Sequence, residues 1–517
     1  MDTKALRQKI LDLAIRGKLV PQDPNDEPAS VLLERIREQK QQMVKDGKLK
    51  KKDIKNDSVI FVGEDNLHYE KFANGSVKCI EDEIPFELPE GWAWARLGTV
   101  AEAIGDGDHQ PPPQTSSGIP FLVISNVSGG ALSFKNTRFV SIEYFNRLPE
   151  TRKPQNGDLL FTVTGSYGIP VLVDTDDMFC FQRHIAIVRP CTISNRYLYV
   201  ILGSSYVESI CDAKATGTAQ KTVGLATLRE LLIPIAPHTE QMQIYVKTQN
   251  ALSIVDSISS DKEALLNIIK NTKAKILDLA IRGKLVPQNP DDEPASVLLE
   301  RIRAEKEDLI KQGKIKRNKR KSIIFKGEDN SYYEKIDGKV MNIDGEIPFE
   351  LPNGWAFVRL KELWELISGR DLSPSEYNAN GVGIPYITGA SNFINDKVDL
   401  VRWTTSPQVI TQTGDLLLTC KGTIGEMAFN NFGDAHIARQ IMAIRNKFTL
   451  NSEYLALCMG FYINAIKNAA KGLIPGISRE DILNLILPVP ALNYQAKVVE
   501  SVVEVTNILS SMEKSLS

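Results

Sequence analysis

Cysteine, histidine and long apolar runs are scarce in this chain, and each scarcity removes a class of protein. The six cysteines (Cys79, Cys180, Cys191, Cys211, Cys420, Cys458) make no CxxC pair. Neither a structural zinc site nor a disulfide framework is expected, and a reducing cytoplasm is. The five histidines (His68, His109, His184, His238, His436) are scattered, with no spacing that marks a catalytic triad. There is no N-terminal apolar run and no stretch long enough to span a bilayer, so no membrane role is expected. GxxxxGK[ST], GxSxG and an Asn-Pro-Pro-aromatic run are all missing; QPPPQ at 110–114 is not such a run. Asp106, Asp108 and His109 in DGDHQPPP (106–113) group like metal ligands, but the corresponding SGRDLSPS (368–375) does not, so no metal is assigned. An excess of one charge is missing as well: 62 basic against 64 acidic residues leave −2. That excludes a uniformly basic nucleic-acid coat and leaves room for local basic surfaces.

What the chain does have is an ordinary globular composition, 42% apolar and 24% charged, at a length sufficient for two or more domains. From Glu240 to Arg282 there is neither Pro nor Gly until the end of an apolar pattern that steps by four and three. Its positions are Ile244, Thr248, Ala251, Val255, Ile258, Lys262, Leu265, Ile269, Thr272, Ile276 and Leu279, with only Thr248, Lys262 and Thr272 off type. This is a coiled-coil seam on one helix of roughly 60 Å, too long for a single compact core and therefore in need of a partner helix.

An internal repeat supplies that partner. Lys9 to Gln22 (KILDLAIRGKLVPQ) recurs as Lys275 to Gln288, and Asp26 to Arg37 (DEPASVLLERIR) as Asp292 to Arg303. The C-terminal stretch repeats the first part of the seam with Val498, Val502, Val505, Leu509, Met512 and Leu516. Thr3 to Arg16 is thus expected on the first half of the central helix and the C-terminal helix on its second half, antiparallel, in a pseudo-twofold circular repeat. After each first helix an amphipathic one follows, carrying Val31, Leu32 and Ile36 or Val297, Leu298 and Ile302, and then a basic tail: KDGKLKKKDIK at 45–55, KQGKIKRNKRK at 311–321. The tails point to phosphate-backbone or partner contact.

EIPFELPEGWAWARL (83–97) and EIPFELPNGWAFVRL (346–360) open two segments of one-domain size, with Trp92 and Trp355 as structural anchors. Short β-rich runs with glycine turns alternate with helical patterns at Tyr197–Ser209 and Glu453–Ala469, so each segment is α+β. GDLLFTVTGSYGIPVLV (157–173) parallels GDLLLTCKGTIGEMAF (414–429), and HIAIVRP (184–190) parallels QIMAIRN (440–446). The loops between these shared runs differ. In the first segment they carry Asp106, His109, Gln110, Ser125, Asn126, Thr164, Ser166, Tyr167, Arg183, His184, Gln220 and Lys221. In the second they carry Arg370, Thr388, Ser391, Asn392, Lys421, Thr423, Arg439, Gln440 and Lys471. These are donors and acceptors suited to base edges and phosphates, with no catalytic set among them, so they are the candidate DNA-binding residues.

The doubled ILDLAIRGKLVPQ and DEPASVLLERI, DGDHQPP followed by GIPFLVISNVSGG, the paired GDLL strands and the Glu240–Gln241 start of the long helix together resemble the specificity subunit of type I restriction-modification systems, over nearly the whole chain. The resemblance implies a non-catalytic subunit with two target-recognition domains joined by two long antiparallel conserved helices, each domain reading half of a split asymmetric site in double-stranded DNA. It further implies methyltransferase subunits that bring S-adenosylmethionine and flip an adenine, and restriction subunits that bring ATP, Mg and cleavage, with no cofactor on this chain itself. The near-identity of the Val31 to Ile36 and Val297 to Ile302 repeats leads to the expectation that they hold two copies of the methyltransferase subunit. The expected division is 1–82 helical, 83–237 first recognition domain, 238–345 central region, 346–490 second recognition domain, and 491–517 C-terminal helix. A coiled-coil adaptor explains the long helix but not two divergent homologous domains; a self-contained DNA methyltransferase lacks its cofactor motif.

Overall fold

The structure is a computed structural model that describes residues 2–108, 112–217, 220–315, 321–394, 397–448, 450–469 and 476–516. It divides into two compact units, Met1–Lys262 and Glu263–Ser517, each combining helices with short strands.

The uninterrupted apolar pattern forms one 44-residue helix, His238–Ile281, and the unit boundary falls within it. All eleven seam positions named from the sequence are buried or half-buried, whereas Met242, Val246, Ile254 and Ile268, off the seam, are exposed. In the first unit the helix Thr3–Ile15 runs antiparallel to the central one: Arg7 pairs with Asp256, and Gln22 farther along the chain meets Glu240. Leu11, Ala14 and Ile15 share a core there with Ile244 and Leu252. In the second unit the helix Leu492–Leu516 takes the same part. Lys273 pairs with Glu513 at 2.7 Å, the Tyr494 hydroxyl donates to the Val286 carbonyl at 2.7 Å, and Val498, Val499 and Val502 pack with Ile276 and Ala280. On this helix the seam position Met512 is exposed, whereas Val505, Leu509 and Leu516 are half-buried.

The amphipathic helices are Ala29–Lys45 and Ala295–Lys311. Each leads to a three-stranded antiparallel sheet, Ser58–Val62, His68–Phe72 and Val77–Cys79 in the first unit, and Ser322–Lys326, Tyr332–Ile336 and Lys339–Asn342 in the second. An arginine, half-buried in the first unit and buried in the second, ties this sheet to the rest: Arg96 reaches Glu70, Glu83 and the Glu230 carbonyl, and Arg359 reaches Glu334, Glu346 and the Asn484 carbonyl.

Each unit then builds a four-stranded antiparallel sheet, in spatial order Ala101–Asp106, Ile185–Pro190, Leu159–Thr162, Pro170–Leu172 in the first. The second repeats it as Trp364–Ser368, Ile441–Asn446, Leu416–Thr419, Met427–Phe429. LLFT and LLLT are apolar runs without alternation because their strands are buried on both faces. The Gly-Asp before each has its own cause: Gly157 and Gly414 adopt φ of 96° and 91°, and the buried carboxylates of Asp158 and Asp415 grip Arg189 and Arg445 on the neighbouring strand. A parallel pair, Cys180–Phe181 with Ile119–Leu122 and Ala435–Ile437 with Ile384–Ile387, lies in a further sheet of short strands, three-stranded in the first unit and four-stranded in the second.

The helical pattern expected over Tyr197–Ser209 is two helices, Asn195–Leu202 and Ser205–Lys214. Gly203 closes the first, and the Ser204 hydroxyl caps the second by accepting from the Val207 amide. In the second unit Ser452–Ala469 is one helix. Trp92 and Trp355 are anchors: their indole N–H groups donate to Glu240 and Gln288, and their rings meet Tyr197 and Tyr494 edge to face. Among the described residues no helix is long and apolar enough to cross a membrane.

Candidate nucleic-acid interface

In the first unit the strands Ala101–Asp106, Ile119–Leu122 and Leu159–Thr162 end, and Ile185–Pro190 begins, at one edge, and backbone hydrogen bonds lace the loops there into a continuous rim. Gln182 N–H donates to the Leu122 carbonyl at 3.0 Å, Arg183 to Asp108 at 3.1 Å, Val163 to His184 at 2.9 Å and Val223 to Val163 at 2.8 Å. The second unit repeats three of these bonds, Ala438 to Ile387 at 2.9 Å, Cys420 to Gln440 at 2.8 Å and Ile477 to Cys420 at 2.8 Å, and its Arg370 to Ile437 at 2.8 Å answers Asp108 to Phe181 at 3.2 Å in the first. Gly107 and Gly369 hold equivalent places in it, since a Cβ at either would collide with the carbonyl of Phe181 or Ala438. Only glycine lets the loop come so close to the neighbouring strand end.

On these two like rims the chemistry differs. The first presents Ser125, Ser166, Arg183, Gln220 and Lys221 as exposed side chains, with Asp106, Tyr167 and His184 half-buried. Arg152, from a turn far off in sequence, pairs with Asp108 at 2.6 Å and donates to the Asp106 carbonyl at 3.1 Å. Burial, with the Arg183 charge beside it, holds the His184 imidazole below its ordinary pKa, and its Nδ1 lies at hydrogen-bond distance, 3.2 Å, from the Gln182 side-chain amide. The second rim presents Arg370, Ser391, Lys421, Thr423, Arg439 and Gln440 as exposed side chains. Lys421 takes the backbone place of Thr164, and Arg439 that of Arg183.

Several residues expected to face a ligand face the protein instead. Asn126 is buried and closes its own loop, accepting from the Val123 amide and donating to the Ser133 and Lys135 carbonyls. Asn392 does likewise, accepting from the Thr388 and Gly389 amides and donating to the Asp399 carbonyl; the Thr388 hydroxyl is tied to the same amide oxygen. Thr164 is buried against Thr222, and the Tyr167 hydroxyl is engaged by Asp212 at 2.7 Å. Of the six apolar residues expected to meet a partner, Leu32, Ile36, Leu298 and Ile302 lie in the cores of their own units, and only Val31 and Val297 are exposed. An amphipathic period marks a buried stripe without saying what buries it. His109, Gln110 and Lys471 lie outside the described residues.

Sequence reasoning missed Arg152, Gln182, Asp371 and His436. Gln182 adjoins Arg183 and Asp371 adjoins Arg370, and that adjacency to named residues was the available signal. Arg152 carries no local signal at all, and His436 is buried, with Nε2 on the Arg370 carbonyl at 2.8 Å and Nδ1 between the Val409 amide and carbonyl.

The family described as type I restriction modification DNA specificity domain matches residues 89–267 and again 352–516. The chain is similar to the type I restriction enzyme EcoAI specificity subunit of Escherichia coli, 29% identical over 452 residues that cover 77% of this chain and 69% of that protein. It is also similar to the EcoEI specificity subunit of Escherichia coli, 26% identical over 590 residues that cover 99% and 90%. Among solved structures, a chain from work on complex assembly and conformational transition of the type I R-M system shares the fold. Its TM-score is 0.54 at 19% identity, covering 84% of this chain and 94% of that one.

Proposed function

Because the chain belongs to the type I restriction modification DNA specificity family, we propose that it supplies the DNA specificity of such a complex, each unit reading one half of a bipartite asymmetric duplex site. The observation that carries this reading is a duplicated frame with divergent rims. Arg96 and Arg359, Asp158 and Asp415, and Tyr197 and Tyr454 repeat their partners. On the rims only some exposed side chains repeat, Ser125 with Ser391 and Arg183 with Arg439, while others differ: Lys421 stands where the first unit has Thr164 and Gln440 where it has His184. Two readers of different sequences need the same scaffold and different donors and acceptors.

Catalysis on this reading belongs to other subunits. Two methyltransferase subunits bring S-adenosylmethionine and extrude the target adenine, and restriction subunits bring ATP and Mg for translocation and cleavage. A subunit that reads DNA inside such a complex works in the cytoplasm. The methyltransferase contacts are placed on the outward faces of Ala29–Lys45 and Ala295–Lys311, where Val31 and Val297 are exposed in equivalent positions, as binding one partner twice requires. Reconstitution with methyltransferase subunits, methylation of a random-sequence duplex library and sequencing of the modified molecules tests the proposal. A split motif with an unread gap is the expected result, and modification without sequence preference contradicts it.

A further inference from the structure

Resting on that reading, we propose that Arg439 is the base-reading side chain at the centre of the second unit's rim, that its base is guanine, and that Asp371 is the residue that positions it. Arg439 lies in the turn between the strands Ala435–Ile437 and Ile441–Asn446. One carboxylate holds it twice: one oxygen of Asp371 accepts the Arg439 backbone N–H at 3.1 Å, and the other forms an ion pair with the guanidinium, 2.7 Å from Nε. The guanidinium is thereby gripped by its inner nitrogen. Its two terminal nitrogens have no partner among the described residues, and the side chain is 67% exposed.

The mount is rigid on both sides. Gly369 packs against the Ala438 carbonyl where no Cβ fits, the Arg370 N–H donates to Ile437, and the Arg370 carbonyl accepts from buried His436 at 2.8 Å. On the other flank the Gln440 carbonyl accepts from Cys420. A side chain held this way loses little freedom on binding.

The free edge of Arg439 is a planar fork of two donors. In the major groove only guanine offers two adjacent acceptors, O6 and N7; adenine sets a donor beside its acceptor, cytosine presents a donor, and thymine a single acceptor. A phosphate also fits an arginine fork, but it is drawn by net positive charge, and the Asp371 carboxylate offsets that charge while preserving the fork. In the first unit the equivalent Arg183 rests its backbone N–H on the Asp108 carbonyl rather than on a carboxylate, so the arrangement around Asp371 belongs to the second reader.

The test uses the full chain assembled with its methyltransferase subunits and duplexes in which each base of the site is varied. One guanine in the second half-site should be favoured roughly 10- to 100-fold over other bases. Replacing it with 7-deazaguanine, which lacks the N7 acceptor, should weaken the wild-type complex and leave Arg439→Ala unaffected. Arg439→Lys, which keeps the charge without the fork, should retain affinity and lose the preference, and Asp371→Ala should weaken the preference at that base alone. Unchanged base preferences in Arg439→Ala, a second half-site with no guanine, or uniform weakening with the salt slope reduced by about one, as a phosphate contact gives, would each overturn the proposal while leaving the specificity role intact. Loss of that broader role has its own signature, a wild-type complex with no sequence preference in either half.

Discussion

Two asparagines and a glutamate show how far residue type alone leads. Asn126 and Asn392 have the right chemistry for adenine, yet their side chains satisfy three and four loop groups from within, and nothing in the sequence separates them from exposed Ser125 or Ser391. Asn392→Ala leaves buried amides and a carbonyl without partners, and should cost about 1–3 kcal/mol in unfolding experiments; an unchanged melting curve would return Asn392 to the set of DNA contacts. Glu240 was legible as the start of the long helix but not as a buried acid. It accepts from the Trp92 indole at 3.0 Å and the Gln22 amide at 3.3 Å, and burial raises its carboxyl pKa. A carboxyl raised in the folded state contributes stability below the ordinary value of 4.5 and loses it as pH climbs through the raised value. The melting temperature of Glu240→Gln relative to wild type should therefore rise across that window and level off above it. A difference that stays flat with pH would mean the acid is not strained by burial.

At the scale of elements, period decides what can be read. A four-three seam from Ile244 to Leu279 on a 44-residue helix specifies its buried face many times over, and that face emerged as expected. Ile244 and Ile254 make the point measurable. Ile244 is fully buried beside Leu11's helix, and Ile254 is 63% exposed on the outer face. Ile244→Ala should cost about 2–5 kcal/mol, and Ile254→Ala less than about 0.5 kcal/mol, by urea unfolding; equal costs would refute the assigned face. The strands were legible only in outline. They run two to six residues, too short for a period to accumulate, and the parallel pairing of Cys180–Phe181 with Ile119–Leu122 joins segments about sixty residues apart that share no local signal. The broken helix at Gly203 was a matter of one glycine and one capping serine inside an otherwise continuous apolar pattern.

Across the whole molecule the repeat was the most legible feature, because two copies of one sequence cannot fold by different rules. What the repeat hides is the rim, where the copies were free to diverge, and exchange of one rim is the experiment that exploits this. Residues 346–490 can be replaced by the corresponding segment of a relative only if the contacts at its two borders survive. At the first border Arg359 must still meet Glu334, which precedes the segment, together with Glu346. At the second, Gln495, which follows it, must find the Asn451 amide at 3.1 Å and the Pro490 carbonyl at 3.2 Å. The equivalent contacts of Gln241 with Ser194 and Ala236 in the first unit show that the frame tolerates different neighbours while keeping these partners. A donor segment with arginine at the position of Arg359 and a helix-capping asparagine or serine at that of Asn451 should therefore fold in place. Methylation mapping in cells that carry the exchanged chain and its methyltransferase partner should then show the second half-site replaced and the first unchanged. Alteration of both halves would mean that the two rims read DNA jointly, and that the duplicated frame does not confer independent recognition.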